Sequence, residues 1–433
     1  MPKTIDSNVT EPWLIDSSDA EWTLKQNGSI STNGAAILED SAETHNRLHL
    51  YGQVHAGHKQ SGSVGVELDG SRTHVRLHKG ALIDTDTGIL VTGINDEASN
   101  HGRIDVTGIG VVSDIAAPNN VYSSPMIRNE GEISGTIGMR LDSAIIDNFF
   151  GLISGTDVAI SAADTPDSLA DITNIGRISG PVAIEIGGGT LYLTNYAHIN
   201  GSVQFGDGND IADFRDGSRV AGAVDGGDGD DWFTIFRSAY FDRPITAGAD
   251  DDLYHLNGGG TKATIVEAKN GGTDSVTADF SYTLPDNFEQ LYVSTRHKQA
   301  SGNGNDADNL LYAGWGHIVL NGGEGNDELA SVGRGGGDRL IGGAGEDTFV
   351  FSKNKSIVED FTQGEDKLAF ADNSGIKSYD RVSIEQHGED SWIGFKSKDG
   401  DFNVRAVLHG VDASALTADD FSFHHEMTAF YRL

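Results

Sequence analysis

The chain has 433 residues, with 57 glycines, 8 prolines and no cysteine, and its 65 Asp and Glu residues against 30 Lys and Arg give a formal net charge of −35. The lack of cysteine excludes disulfides and thiolate metal sites, and so few cations exclude nucleic acid as a partner. Such charge opposes compaction unless divalent cations neutralise it, although simple solubility is an alternative explanation.

The first 45 residues are interpreted as an N-terminal segment or cap. They lack the basic region followed by an apolar region that marks a cleaved signal peptide. No stretch of the chain approaches the roughly 18 apolar residues that a membrane span needs. We therefore expect neither a signal peptide nor a transmembrane segment.

Two segments near the N-terminus alternate apolar residues with basic or aromatic ones, as strands with one buried face do. If both are strands of one sheet, their outward residues form a basic and aromatic strip on an otherwise acidic protein. Such a strip suits an anionic polysaccharide, and an ordinary solvated strand face is the alternative. The residues assigned to the strip are Arg47, His49, Tyr51, His55, Arg72, His74, Arg76 and His78.

Residues 46–204 are predicted to form a parallel β-solenoid, because strand-like segments recur with turn residues between them. Several of these segments contain Asn shortly before Gly, a pair that suits corners with positive φ. From Gly176 the repeat becomes regular at 21 residues. The Asn positions are Asn100, Asn129, Asn148 and Asn174, and the aligned apolar columns are Ile178, Ile199, Val220 and Phe241, and Val182, Val203, Val224 and Ile245.

Within residues 205–353 one corner of the repeat is rich in glycine and aspartate. Asp210, Asp231 and Asp252 are 21 residues apart, so they are expected to stack on successive coils. Stacked carboxylates would repel one another, whereas Ca²⁺ takes about six to eight oxygens from carboxylates and backbone carbonyls. Turns without metal are the alternative. The candidate calcium ligands are Gly206, Gly208, Asp210, Gly227, Gly229, Asp231, Asp250, Asp252, Gly302, Gly304, Asp306, Gly323, Gly325, Asp327, Asp338, Gly343, Gly345 and Asp347.

The segments GGEGNDEL (322–329) and RLIGGAGEDTFVF (339–351) resemble the repeats of the RTX (repeats-in-toxin) family of hemolysin-type, calcium-binding secreted proteins. Asp338 and Asp347 are nine residues apart, which is the spacing of the family's nonapeptide repeat. The resemblance implies several bound Ca²⁺ ions in a β-roll or β-helix. It also implies export from a Gram-negative bacterium by a type I ABC transporter, to the medium or the cell surface. Residues 354–433 would then form a β-rich flanking region with an uncleaved C-terminal export signal.

The predicted fold is all-β, a parallel β-solenoid (β-helix) that runs into an RTX-type calcium-binding β-roll or β-helix. The zinc-protease motif H-E-x-x-H and the nucleophile motif G-x-S-x-G do not occur, so no catalytic residue is assigned. We favour a secreted structural or adhesive protein, or one that interacts with a host or competitor, whose folding is driven by calcium after export. A β-helical polysaccharide lyase or C5-epimerase is the alternative, and a small RTX toxin or bacteriocin is a third interpretation.

Overall fold

The computed structural model describes residues 3–57, 61–114, 124–162, 166, 168–258, 263–296, 299–333 and 337–425. These residues form β-strands, turns and short 3₁₀ segments at Asp372–Ser374, Tyr379–Arg381 and Ala418–Asp420. The prediction of an all-β parallel solenoid is confirmed. The chain divides into two compact units, the first comprising Met1–Ala249 with Lys262–Thr264 and the second comprising Asp250–Thr261 with Ile265–Leu433.

The strands of the first unit are short and closely spaced along the chain. They are β1 (Thr4–Ile5), β2 (Asn8–Val9), β3 (Trp13–Ile15), β4 (Glu21–Leu24), β5 (Ser29–Thr32), β6 (Ile37–Glu39), β7 (Arg47–Leu50), β8 (Gln53–Ala56), β9 (Val64–Leu68), β10 (His74–Leu77), β11 (Leu82–Asp84), β12 (Thr87–Val91), β13 (Glu97–Asn100), β14 (Arg103–Asp105), β15 (Ile109–Ser113), β16 (Met126–Asn129), β17 (Glu132–Leu141), β18 (Ala144–Asn148), β19 (Leu152–Ala162), β20 (Leu169–Asn174), β21 (Arg177–Glu185), β22 (Thr190–Asn195), β23 (His198–Gly206), β24 (Ile211–Phe214), β25 (Arg219–Val220), β26 (Val224–Asp228), β27 (Trp232–Phe236), β28 (Tyr240–Phe241) and β29 (Ile245–Ala249).

Each coil of the first unit supplies one strand to a first parallel sheet and one or two strands to a second. The coils begin at β1, which pairs with β4, so residues 4–45 already form coils where the sequence indicated a segment or cap. The second sheet has 18 strands. The strands of the first sheet, in order of pairing, are β1, β4, β7, β10, β13, β16, β18, β20, β22, β24 and β27.

The 21-residue register is confirmed in one predicted column and wrong at one position of the other. Ile178 pairs with Ile199, Ile199 with Val220, and Val220 with Phe241. In the second column, however, Val203 pairs with Ile184 rather than with Val182. The cause is an irregularity of β21 between Ser179 and Ile184, where two extra residues, added in two separate shifts, displace the pairing with β23.

A buried ladder of asparagines closes one corner of the first unit. Each Nδ2 in the ladder donates to the Oδ1 of the next asparagine at 2.8 to 2.9 Å. The expectation of positive φ at these residues is wrong, because they end strands of the first sheet and have ordinary strand conformations. A buried amide needs partners for its donors and its acceptor, and stacking identical amides supplies them along the ladder up to its last member, Asn195, whose Nδ2 has no partner among the described residues. The ladder consists of Asn100, Asn129, Asn148, Asn174 and Asn195.

The strands of the second unit form two walls, one of which ends in antiparallel strands. They are β30 (Leu253–Asn257), β31 (Ser275–Ala278), β32 (Tyr282–Thr283), β33 (Gln290–Val293), β34 (Gln299–Asn303), β35 (Leu310–Ala313), β36 (His317–Glu324), β37 (Glu328–Ser331), β38 (Asp338–Ala344), β39 (Thr348–Phe351), β40 (Ser356–Val358), β41 (Lys367–Ala371), β42 (Ser383–His387), β43 (Asp390–Lys396), β44 (Phe402–Leu408) and β45 (Phe421–His425).

In the second unit, coils of two strands replace the longer coils of the first unit. One wall runs through β30, β31, β33, β35, β37, β39, β41 and β45. The other wall is parallel from β32 to β44 and ends in the antiparallel strands β43 and β42. Among the described residues, no helix is long and apolar enough to cross a membrane.

Candidate calcium turns and outward strip

In the first unit, a buried aspartate stands immediately before each of two neighbouring strands, β24 and β27. Asp210 and Asp231 are 1% and 2% exposed. Asp210 Oδ1 accepts the backbone N–H of Leu191 at 2.6 Å, and Asp231 Oδ1 accepts the backbone N–H of Asp210 at 2.8 Å. The 21-residue spacing therefore places these two carboxylates on successive coils at one corner.

The second unit contains a longer ladder of the same kind. The backbone N–H of Asp327 donates to Asp347 Oδ1 at 2.9 Å, and that of Asp347 donates to Asp366 Oδ1 at 3.0 Å. The N–H of Asp252 donates to Asp274 Oδ1 at 3.1 Å. Sequence analysis missed Asp274 and Asp366, although each is followed by a polar residue and then an apolar one, the pattern seen after Asp327 and Asp347.

The ladder leaves carboxylate oxygens inside the protein. Oδ2 of Asp210 and Oδ2 of Asp327 are buried and have no hydrogen-bond partner among the described residues. Burial raises the pKa of Asp210, Asp274 and Asp327 to about 7. A buried carboxyl without a donor either keeps its proton or takes a cation.

Glycine turns bring backbone carbonyls to the same corner. Gly323 and Gly343 have φ of 121° and 105°, a region that side chains disfavour. A Cβ on Gly343 would lie 2.1 Å from the carbonyl oxygen of Gly323, and a Cβ on Gly322 would lie 2.0 Å from Asp327 Oδ2. Successive turns are therefore stacked too closely to admit a side chain. Asp250, in the position of a turn glycine, adopts a φ of 76°.

The chemistry of these donors fits calcium rather than a transition metal. The described part of the chain holds no group of three or more His, Cys, Asp or Glu side chains that could bind a metal. The available donors are single carboxylate oxygens and backbone carbonyls, which hard cations such as Ca²⁺ prefer.

The predicted alignment of Asp306 with Asp327 is wrong. Asp306 is exposed, and Asn309 occupies the ladder position, because Leu310 pairs with Glu328 and the N–H of Asn309 donates to Asp327 Oδ1 at 2.8 Å. Three extra residues in this turn move the strand start from 307 to 310.

The same shift removes two glycines from the predicted calcium turn. Gly302 pairs with Leu320, and a Cβ on Gly302 would meet the side chains of Val293 and Leu291, so this glycine faces the core. Gly304 lies against the carbonyl of Gly322 rather than at the level of Gly325. Neither glycine occupies the turn position that its motif predicted.

Asp338 lies outside the ladder. It begins β38, in the wall opposite to the strand that Asp347 precedes, so the nine-residue spacing corresponds to half a coil. Its Oδ1 accepts the N–H of Ile318 at 2.9 Å and its Oδ2 accepts the hydroxyl of Ser331 at 2.6 Å. With a donor on each oxygen, Asp338 fits calcium less well than Asp327 does.

The outward strip of the first sheet contains six of the eight predicted residues. The neighbouring strands β7 and β10 pair Arg47 with His74 and His49 with Arg76. Just beyond them, the rings of Tyr51 and His78 stack at 3.8 Å.

His55 and Arg72 lie elsewhere. His55 belongs to β8 of the second sheet, where its Nδ1 is 3.7 Å from the Asp84 carboxylate. Arg72 lies at a corner with φ of 58°. Acidic neighbours partly offset the charge of the strip, since His74 Nδ1 is 3.0 Å from Glu97.

Two curated relatives come from Rhizobium meliloti. The chain is 31% identical over 185 residues to the endo-1,3-1,4-beta-glycanase EglC, covering 42% of this chain and 35% of the relative. It is 41% identical over 69 residues to the endo-1,3-1,4-beta-glycanase ExsH, covering 16% of this chain and 14% of the relative. The chain therefore spans about a third or less of the length of these relatives.

Solved structures of two subunits of an Azotobacter vinelandii mannuronan C5-epimerase also match. AlgE6R3 is 26% identical with a TM-score of 0.25, over 31% of this chain and 82% of that one. AlgE6R2 is 23% identical with a TM-score of 0.22, over 31% of this chain and 96% of that one. TM-scores this low do not bear on the fold, and no protein-family model matches the chain.

Proposed function

We propose that this protein is an extracellular calcium-binding β-solenoid of the RTX type that acts on or at polysaccharide. The observation that carries the proposal is the buried aspartate ladder, in which Oδ2 of Asp210 and Oδ2 of Asp327 are enclosed without a donor. Calcium between successive turns would supply the missing partner. The similarity to segments of two glycanases supports polysaccharide as the partner.

In this proposal the ladder carboxylates and the turn carbonyls hold the ions. The aspartates would supply negative charge, while the glycines keep the backbone close enough for carbonyls of neighbouring turns to share an ion. The residues assigned are Asp210, Asp231, Asp252, Asp274, Asp327, Asp347 and Asp366, with the turns at Gly206, Gly227, Gly229, Gly323, Gly325, Gly343 and Gly345.

Calcium binding would then be coupled to folding. In low calcium at neutral pH, the stacked carboxylates either repel one another or hold protons that the unfolded chain would release. Both alternatives disfavour the folded ladder. Because the folded state alone brings the donors together, calcium stabilises it by mass action. Export of an unfolded chain followed by folding in calcium-rich medium fits this coupling. The export signal is assigned to the region 354–433, of which 426–433 lie outside the described residues.

The proposal is tested by titrating calcium into EDTA-stripped protein while recording circular dichroism and binding heat. We expect a cooperative gain of β signal with several ions bound per chain, because each ion joins turns of neighbouring coils. Magnesium is the control, since its small, rigid octahedral shell suits carbonyl cages poorly. A full β spectrum in EDTA that calcium does not alter, with no binding heat, would contradict the proposal.

A polysaccharide lyase or C5-epimerase is the second candidate. The outward face of the first sheet groups the charges that such chemistry needs: Arg128 lies 3.6 Å from Asp147 and 3.6 Å from Glu97, and burial raises the pKa of Asp147 and of Asp171. Incubation of calcium-loaded protein with alginate, pectate and β-glucan separates the candidates. New absorbance from double bonds, altered uronate composition or shortened chains would assign an enzyme.

A further inference from the structure

One column of side chains runs along the first unit at the corner where the first sheet ends. Each member is the residue that follows the last inward-facing residue of a first-sheet strand. Backbone bonds keep the column in register, for example from Tyr196 N–H to Asn174 O at 2.9 Å and from Arg215 N–H to Asn195 O at 2.9 Å. The part of this column from Tyr51 onward is named here the corner track and consists of Tyr51, His78, His101, Glu130, Phe149, Ile175, Tyr196, Arg215 and Phe236.

The corner track contains a one-residue insertion whose side chain makes no buried contact that would stabilise the fold. Neighbouring coils turn this corner with Asn, one residue and then Gly or Ala, as at Asn174 to Gly176. The coil of Asn148 instead inserts Phe150 before Gly151. Phe150 has φ of 60° and is 84% exposed. A bulky residue in the left-handed region costs free energy, and here no burial offsets it.

The coils that follow add further exposed rings beside the insertion. Tyr196 is 46% exposed and Tyr192, on the same strand face, is 41% exposed. The guanidinium of Arg215 lies 5.9 Å from the Tyr196 ring and 4.6 Å from the Phe236 ring, so it holds both rings in place. Thr194 lies between Tyr192 and Tyr196 on the outward face of β22, and it pairs with Thr173 of the neighbouring strand.

At its other end the corner track reaches the predicted basic strip. The stacked rings of Tyr51 and His78 are its first two members, and His101 pairs with Glu130 at 3.0 Å. From Tyr51 to Phe236 the track crosses eight inter-strand steps of about 4.8 Å, a length of roughly 40 Å. The surface is therefore long, narrow and one side chain wide.

We propose that the corner track binds an extended polysaccharide chain, with Phe149 and Phe150 as its aromatic anchor. This inference rests on the proposed function for the class of its ligand. Rings separated by hydroxyl and charged groups match a sugar chain, which offers apolar C–H faces and polar edges in alternation. A protein partner would need a broad contiguous apolar patch instead, and the track is too narrow to provide one.

The test measures retention of calcium-loaded protein in native gels cast with β-glucan, alginate or pectate. We expect wild type to be retained by at least one of them. Phe150→Ala and Tyr196→Ala should weaken binding at least tenfold, whereas Tyr240→Ala should not. Tyr240 is a matched control because it is 47% exposed, lies under an arginine and belongs to the second sheet.

Phe150→Gly separates a binding role from a structural one. Glycine accepts positive φ without strain, so this variant should melt at a higher temperature than wild type while binding polysaccharide as weakly as Phe150→Ala. A lower melting temperature, unchanged binding in the Phe150 and Tyr196 variants, or no retention of wild type by any of the three polysaccharides would overturn the proposal. Circular dichroism with and without calcium tests the proposed calcium-dependent folding independently of polysaccharide binding.

Discussion

Replacing Asp327 with Asn is expected to raise the calcium concentration at the folding midpoint at least tenfold and to lower the number of bound ions. The substitution keeps the shape of the side chain but removes a negative charge and an anionic oxygen from the turn. Asp327 Oδ2 is buried without a donor, so the lost charge is the one that calcium would neutralise. Calcium titrations followed by circular dichroism and calorimetry measure both quantities.

The variant should nevertheless fold, because the ladder already contains an asparagine. Asn309 occupies the equivalent position, accepts the N–H of Asn305 at 2.7 Å and donates to the carbonyl of Phe288 at 3.0 Å. Asp306→Asn is the matched control, since it removes the same charge from an exposed residue nearby. Equal calcium midpoints in the two variants would show that the ladder acts only as a set of turns.

The regular part of the fold could be predicted because its repeats have equal length. From Ile178 to Phe241 each coil has 21 residues, so aligning the sequence aligns the structure along this column. The alignment failed where residues are added between paired positions. Two added residues in β21 move Val182 out of its column, and three before Asn309 leave the Gly and Asp motif of the turn intact while moving the ladder position.

Side-chain ladders were harder to predict than strands. Asn129 and Asn148 were predicted to be corner residues because asparagine favours turns. The sequence does not show whether a buried amide faces the amide of an asparagine on the next coil, as these two do. The exposed insertion at Phe150 has a signal that could have been found, since the neighbouring coils share the spacing from Asn to Gly and this coil is one residue longer. The roles of Asp274 and Asp366 were missed because their turns lack the full glycine pattern.

In calcium-free buffer, the protein is expected to be more stable at pH 5.5 than at pH 8. Burial raises the folded-state pKa of Asp210 and Asp327 to about 7, from an ordinary value of 3.8. The folded state therefore holds protons that the unfolded state releases, so this stabilisation is complete below about pH 3.8 and is lost as pH rises through about 7. Each such carboxyl should contribute on the order of 1–3 kcal/mol to the difference. Thermal melts in EDTA across this range measure it.

Calcium should reverse that dependence, because it binds the ionised carboxylates that protons would otherwise occupy. Calcium-induced stabilisation should therefore grow from pH 5.5 to pH 8, and binding near pH 6.5 should release protons, measurable as binding heat that varies with the ionisation enthalpy of the buffer. The double variant Asp210→Asn with Asp327→Asn should flatten the melting profile in EDTA, since asparagine does not titrate. Asp207→Asn with Asp306→Asn removes equal charge from exposed positions and should leave the profile as in wild type. If both double variants changed it equally, the dependence would arise from the overall charge of −35 rather than from the ladder.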